Sequence, residues 1–509
     1  MVTGTGAGEG LSALLDSGEP SAVALIAPED GQVLTYAQLA SRIEALARLL
    51  AGAGVRRGDR VAVALPNGPE CIELLLAVMW LGAAAAPLNS AYTESEFAFF
   101  LGDIAPRLLV TMPGQPKSAI SAAAASATPV IAITVHADGP PDLQAEGAAV
   151  RPAASFEPGE PDDVGIVLHT SGTTSRPKQV PLRQRNLMAS VRTVAGHYRL
   201  GPADSSFCAM PLFHVHGLVA SAFAALSAGS TVIAPRRFTP HRFWRQARDH
   251  QATWLSAGPT MHQMILDKID AGGAPRSLRF VRSCSSPLSP ALLERAEAAY
   301  GVPMLEAYGM TEASHQMASN PLPPDRRVPG SVGVPTGTEI GVVNDQGQFL
   351  PEDSPGEVVI RGPGVMSGYV NNPQATAESF LGEWFRTGDR GVLHGGYLNL
   401  EGRLKEMILR GGENISPAEI EQVLLAHPAV GDAVCFGIPD EKYGELPAAA
   451  VTLTRDADVA SLTDFCRERL AAFKVPATVY VLAEIPRTAT GKVQRRRMAE
   501  FVAGRQPAR

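Results

Sequence analysis

From Tyr36 to about Leu50 apolar residues recur at helical spacing, and Gly52 and Gly54 stop the pattern before VAVAL (61–65), which reads as a buried strand. A helix followed by a strand is predicted there. The longest apolar run, Leu74 to Leu88, falls short of the ~20 residues a membrane-spanning helix needs and contains Gly82 and Pro87, so it reads as core. Residues 118–154, rich in alanine and proline, read as short strands on linkers. Beyond them strands are expected at IVLH (166–169), SFCAM (206–210), TVIAP (231–235), TWLSA (253–257), LRFVRS (278–283) and VPMLEAY (302–308), separated by helical patterns. Such alternation implies a largely parallel sheet with helices on both faces. After Ser331 the chain turns to Gly- and Pro-punctuated short strands such as GEVVIRG (356–362), the mark of a small β-rich subdomain. From EGRLKEMILRGGENIS (401–416) onward, helices near 416–426 and 458–472 alternate with strands near VGDAVCFGI, PAAAVTL and VYVLAEI, giving a compact α+β unit of about a hundred residues.

With 509 residues, 45% hydrophobic and 19% charged, the chain is neither disordered nor fibrous. Lys and Arg number 44 against 51 Asp and Glu, a net charge of −7. Nothing there makes nucleic acid or an anionic membrane a default partner, so small molecules are expected instead. Cys71, Cys208, Cys284, Cys435 and Cys466 are scattered without C-x-x-C spacing, which fits free thiols in a reducing compartment. MVTGTGAGEG has no basic cluster followed by an apolar core and reads as a loose terminus rather than a signal peptide. A cytoplasmic protein with no integral membrane segment is expected. Oligomeric state leaves no trace in the sequence.

The sharpest local signal is HTSGTTSRPK, His169 to Lys178, read as following a strand and preceding a helix. Its hydroxyls, the backbone N–H groups near Gly172, Arg176 and Lys178 offer the donors and positive charge that surround a polyphosphate. G-x-x-x-x-G-K-[ST] is not matched, which excludes the P-loop NTPase reading. A plain polar turn is the alternative.

Together with PLFHVHG (211–217), YGMTE (308–312), TGD (387–389), GRLKEMILRGGENI (402–415) and TATGK (488–492), in that order, this loop makes the chain resemble the acyl-adenylate-forming enzymes: acyl-CoA synthetases, luciferases and peptide-synthetase adenylation domains. The likeness runs from about residue 30 to 498. HTSGTTSRPK, PLFHVHGL, RSCS, TEASH and SNPLP make it similar, within that family, to the plant and fungal oxalyl-CoA synthetases. The resemblance implies an α/β fold with a large N-terminal AMP-binding domain of parallel αβα sheets plus a small β-barrel-like subdomain (1–402), and a smaller mobile α+β C-terminal domain (403–509). It implies an AMP-forming acid:CoA ligase using ATP, Mg²⁺ and CoA, which makes a mixed anhydride with AMP before the thiol takes the acyl group.

Site residues follow by matched position. Thr170, Ser171, Gly172, Thr173, Thr174 and Lys178 would hold phosphates. Glu312 would hold Mg²⁺ with Thr173, as suits a hard cation; a helix-start glutamate is the alternative. Tyr308 would stack on adenine, with Gly309 and Thr311 beside it and Ser285, Ser286 and Pro287 opposite; a core tyrosine is the other reading. Asp389, a pure acceptor when ionised, would take the ribose hydroxyls, with Arg403 assisting there or at the phosphate, although a Gly-Asp pair taken alone is more often a turn. Lys492 would follow charge developing in the transition state, where otherwise it is a surface lysine near Arg495, Arg496 and Arg497. Lys405 matches the hinge about which the C-terminal domain rotates, bringing Gly411, Gly412 and Glu413 toward a pantetheine channel.

The acyl pocket is implied around Thr260, Met310 and four histidines: His214 at the gating aromatic position, then His216, His262 and His315. Histidines in segments that fatty-acid enzymes keep apolar point to a small polar acid, oxalate first. A second buried carboxylate needs a cation or several donors; Arg282, Ser283 and His315 supply them if they face inward. His214 and His216 alone make no zinc site, which needs three or four ligands, and His262 and His315 also suit core or surface roles. Two departures stand out: Ser175 replaces a glycine but is shared with the oxalyl-CoA synthetases, and Gln179 replaces the glycine after the loop lysine, restricting backbone angles where the loop closes. Gly309 and Pro287 differ from the plant enzymes. The rival readings are a short- or medium-chain fatty acyl-CoA synthetase, a stand-alone enzyme loading a carrier protein, and a silent nucleotide sensor.

Overall fold

A computed structural model describes residues 10–134, 136, 139, 141–145, 147–170, 177–411, 413–487 and 493–503. The helix read near the start is Tyr36–Gly52; Thr35 and Gln38 close a capping box at its N-terminus, and Leu39, Ile43, Leu46 and Leu50 form its buried stripe. The long apolar run divides into the almost wholly buried helix Pro69–Trp80 and the strand Ala84–Pro87. Gly82 makes the turn between them at φ +74°, a conformation that a side chain resists.

Two large sheets carry the N-terminal part. One runs in the order Gln179–Arg183, Val164–His169, Ala84–Pro87, Arg60–Ala64, Leu108–Thr111, Val130–Thr134, Asp142–Ala145, Ala148–Ala149. The other contains, side by side and parallel, Thr231–Ile233, Ser205–Phe207, Trp254–Ala257, Phe280–Ser283 and Met304–Met310, with His315–Ser319 folding back antiparallel at one edge. Helices fill the layers around them, as the alternation predicted. A five-stranded antiparallel sheet follows, ending in the paired strands Trp384–His394 and Tyr397–Arg403. After a single 3₁₀ turn, Leu404–Glu406, the chain enters a fourth sheet with its own cores, covered by Pro417–Leu425, Val459–Arg467 and Arg495–Val502. Among the described residues no helix is long and apolar enough to cross a membrane.

Two readings need correction. Within 118–154 the chain forms a helix, Lys117–Ala125, which buries Ala119, Ala122 and Ala123. Alanine is the strongest helix former, and its richness there signalled a helix rather than a linker. The phosphate loop does not lead straight into a helix either: Gln179–Arg183 first returns antiparallel to Val164–His169, and the helix Gln184–His197 comes after it.

Candidate active site

The hairpin fixes both stems of the loop, because Gln179 pairs with His169 and the Thr170 amide donates to the Lys178 carbonyl at 3.0 Å. Ser171, Gly172, Thr173 and Thr174 lie outside the described residues, as do Ser175, Arg176, Gly412 and Lys492. Lys178 places its ammonium 4.5 Å from the centroid of the Tyr369 ring, and the Tyr369 hydroxyl donates to Glu312 Oε1 at 3.0 Å. Burial, and then the Glu312 carboxylate, push the Tyr369 phenol up, so it stays protonated and donating. The two ends of one expected phosphate and metal site thus meet through an aromatic residue that sequence reasoning did not single out.

Tyr308 is buried, and its hydroxyl donates to Asp389 Oδ2; Arg403 Nε lies 2.9 Å from Asp389 Oδ1. Asp389 and Arg403 face each other in register across paired strands, so the backbone itself sets this pair. The carboxylate in turn raises the Arg403 pKa. Gly309 has a steric reason to lack a side chain: a Cβ there would sit 2.4 Å from the His315 carbonyl oxygen. That closeness packs His315–Ser319 onto the strand bearing Tyr308. Thr311 opens the 3₁₀ turn that carries Glu312. Ser286 and Pro287 are exposed, whereas Ser285, at φ +80°, turns its hydroxyl to His216 Nδ1 at 2.9 Å. Ser314 and His315 also hold positive φ, 54° and 110°, a backbone cost of about 1–3 kcal/mol apiece that clusters at functional sites.

Arg282 organises the acyl side. Its guanidinium is fully buried and none of its partners is a carboxylate: Nε donates to the Tyr198 hydroxyl at 2.8 Å, Nη1 to Ser256 Oγ at 2.8 Å and toward His216 Nε2 at 3.3 Å, and Nη2 to Gln316 Oε1 at 3.1 Å and toward His315 Nδ1 at 3.4 Å, with the Cys284 thiol also beside it. An arginine only donates, so each histidine turns an acceptor nitrogen toward it. No Asp or Glu pairs with Arg282 among the described residues. Gln316 Oε1 also accepts from Tyr198 at 3.1 Å, which fixes the amide and leaves its Nε2 buried without a partner. A charge in apolar surroundings with no counter-charge is costly, and an unmet donor beside it adds to the cost.

The other pocket residues divide. His214 caps the short helix Val215–Gly217, its Nδ1 accepting from the His216 amide at 3.2 Å, while Thr260 and Met310 are half-buried. Ser283 does not join Arg282. Along Phe280–Ser283 the side chains alternate, Phe280 into one core and Val281 into the other, so Ser283 takes the Val281 side, where its hydroxyl is buried and unpaired. His262 lies apart too: Nε2 donates to the Arg282 carbonyl at 3.0 Å and Nδ1 accepts from the Tyr300 hydroxyl at 3.2 Å, which occupies both ring nitrogens inside the second core. On the C-terminal unit Gly411 and Glu413 are exposed, and Lys405 is exposed in the turn between the third and fourth sheets.

Burial lowers His262 to about 4. Because the folded value lies below the ordinary 6.5, the unfolded chain binds the proton first as pH falls. The stability held by neutral His262 is complete above pH 6.5 and is lost toward pH 4, by up to about 3 kcal/mol. Denaturant melts at pH 7 and pH 4.5 should show wild type losing roughly 2 kcal/mol more than His262→Gln; parallel losses would contradict this.

Residues 16–370 match the family model described as AMP-binding enzyme, and residues 419–492 the one described as AMP-binding enzyme C-terminal domain. The oxalate–CoA ligase of Arabidopsis thaliana is 46% identical over 484 residues, covering 92% of this chain and 93% of the relative. The sulfoacetate–CoA ligase of Cupriavidus necator is 38% identical over 475 residues, with 92% and 93% covered. Among solved structures, the O-succinylbenzoate coenzyme A synthetase of Bacillus subtilis, in complex with ATP and magnesium ion, superposes with a TM-score of 0.83 at 32% identity, over 95% of this chain and 98% of that one.

Proposed function

We propose, from the premise that this chain belongs to the AMP-binding enzyme family, that its acid substrate is a small dianion, with oxalate the leading candidate. The chain is an AMP-forming acid:CoA ligase. A carboxylate oxygen attacks the α-phosphorus of ATP, the bond to the bridging oxygen breaks and pyrophosphate leaves. The CoA sulfur then attacks the acyl carbon and AMP departs. Little covalent chemistry falls to the protein, so positioning and charge neutralisation carry the rate.

The observation that carries the acid assignment is Arg282: a fully buried cation with no carboxylate partner among the described residues, with the Gln316 amide nitrogen unmet beside it. When one carboxylate of oxalate is consumed by adenylation, the other stays charged and needs such a partner. Oxalate and sulfoacetate, the acids named for two relatives, both carry two anionic groups on a two-carbon skeleton. A fatty acid would leave the guanidinium unneutralised.

For the nucleotide, the Asp389 carboxylate would exchange the Tyr308 hydroxyl for ribose hydroxyls, freeing the Tyr308 ring to meet adenine, with the Arg403 guanidinium beside Asp389. Lys178 would meet the outer phosphates, together with Thr170 and the loop residues Ser171, Gly172, Thr173 and Thr174. Glu312, a buried carboxylate against a neutral phenol, fits a hard cation, with Thr173 as a second ligand. Bound there with ATP, Mg²⁺ supplies neutralisation of phosphate charge. We divide the chain at 402/403 and place the hinge at Lys405. The turn that joins two separate sheets, and the separate matching of 16–370 and 419–492, support this division. Rotation there would withdraw Lys492 and bring Gly411, Gly412 and Glu413 to the thiol's channel. The five cysteines are free and buried, which supports a cytoplasmic location.

An AMP-release screen with CoA, from oxalate and sulfoacetate to butyrate and dodecanoate, tests the acid. Short dianions should exceed monoanions of similar size by at least about a hundredfold in kcat/KM, the scale of one buried charge partner. A best substrate among the fatty acids would overturn the assignment, and turnover only with a phosphopantetheinylated carrier protein would replace CoA as acceptor.

A further inference from the structure

The glutamine that stands where a glycine was expected, just after the loop lysine, is 6% exposed and fully engaged. Gln179 Nε2 donates to the Asp103 carbonyl at 2.7 Å and to Asp103 Oδ2 at 2.8 Å, and Oε1 accepts from Arg60 at 3.2 Å. The same Asp103 Oδ2 takes a hydrogen bond from His169 Nε2 at 2.8 Å, and His169 packs edge-on against Phe100, 4.7 Å between ring centroids. Arg60 also donates to the Ile104 carbonyl at 3.0 Å. The last turn of the helix Glu94–Ile104 therefore grips both stems of the phosphate loop, His169 on the way in and Gln179 on the way out. From its backbone, the Gln179 carbonyl accepts from the Val370 amide at 3.1 Å, next to Tyr369, whose ring lies under Lys178 and whose hydroxyl reaches Glu312.

We infer that Gln179 is a positioning residue for ATP: its side chain clamps the exit stem of the loop to Asp103 and so sets Lys178 and the Tyr369–Glu312 pair in register for the triphosphate. The inference rests on the nucleotide role proposed for Lys178. A glycine leaves the stem free to choose its angle, whereas this side chain fixes it through three hydrogen bonds, two to the end of a helix and one to a neighbouring strand. The acid side, around Arg282, shares none of these bonds, so the effect should be confined to the nucleotide.

Gln179→Met keeps length and volume but removes every side-chain hydrogen bond, and Asp103→Leu removes the other end. Each is expected to raise the KM for ATP about tenfold, the scale of one or two lost hydrogen bonds to a charged group, and the double variant should be no worse than either single one. The KM values for oxalate and CoA, and kcat at saturating ATP, should stay within about twofold, as expected for a loss of uniform binding. Gln179→Glu, which opposes two carboxylates, should be worse than Gln179→Met, and adding Asp103→Asn should recover part of that loss. Thermal melts without nucleotide report whether each variant folds. A folded Gln179→Met with wild-type KM for ATP, an equal rise in all three KM values, or additive single effects would each overturn the inference. If no acid is activated at all, ATP binding followed by fluorescence still reads the predicted weakening, so failure of the ligase reading and failure of the clamp remain distinguishable.

Discussion

Replacing Arg282 by Met should lower kcat/KM for oxalate by about a thousandfold while leaving butyrate as good as before or better. Truncating one member of a buried charge pair costs roughly 2–5 kcal/mol, much of it from the charge left alone. In this variant the stranded charge is the acid's second carboxylate, seen only by His216, His315 and the Gln316 amide. For a monoanionic acid the sign reverses, because an apolar methionine removes a cation that had to be desolvated with no partner. Arg282→Lys should not rescue oxalate: the guanidinium reaches Tyr198, Ser256 and Gln316 along three directions, and an ammonium cannot reproduce that fork. AMP release over both acids measures the switch. Parallel loss of oxalate and butyrate, with folding intact, would make Arg282 a purely structural residue and remove the ground for a dianion.

The arginine could be singled out in the sequence, but the reason it matters could not. RSCS marks Arg282 and TEASH marks His315, while the partners that make the cation a receptor come from elsewhere: Tyr198 from a helix end, Ser256 from the neighbouring parallel strand in register with Arg282, and Gln316 from a strand that folds back. No local pattern joins them; only sheet order does. His262 carries the opposite lesson, since a histidine expected in the acyl pocket spends both nitrogens in a second core. Periodicity served well where one face is buried, as in Tyr36–Gly52 and the parallel strands, and misled where alanine richness was taken for a linker. Tyr369 gave no signal because its meaning depends on Lys178 and Glu312, both distant along the chain. Gln179 did give one, as a departure from the expected glycine, but its direction could be read only once Asp103 and Arg60 were seen around it.

Lys492→Ala should reduce acid-dependent pyrophosphate exchange by about 10²–10³, while thioester formation from supplied acyl-adenylate and CoA stays within a few-fold of wild type. Charge that builds on the attacking carboxylate and the α-phosphate must be met by something that moves with it, and an ammonium on a flexible stem does this without a fixed geometry. Neither Arg495 nor Arg487 is placed to substitute for it. Arg495 is buried between Glu406 and Glu421, and Arg487 is paired with Asp432 at 2.6 Å, so each is tied to carboxylates of the C-terminal unit itself. Withdrawing either toward a nucleotide would strand those carboxylates, Glu421 in a buried position where desolvation already raises its pKa. The two half-reactions should therefore separate cleanly in this variant, because the thiol step gains nothing from a cation that the proposed rotation has carried away. Exchange at wild-type rate in Lys492→Ala would take that lysine out of the first half-reaction. Equal loss of both steps would mean that the C-terminal unit does not change its position between them.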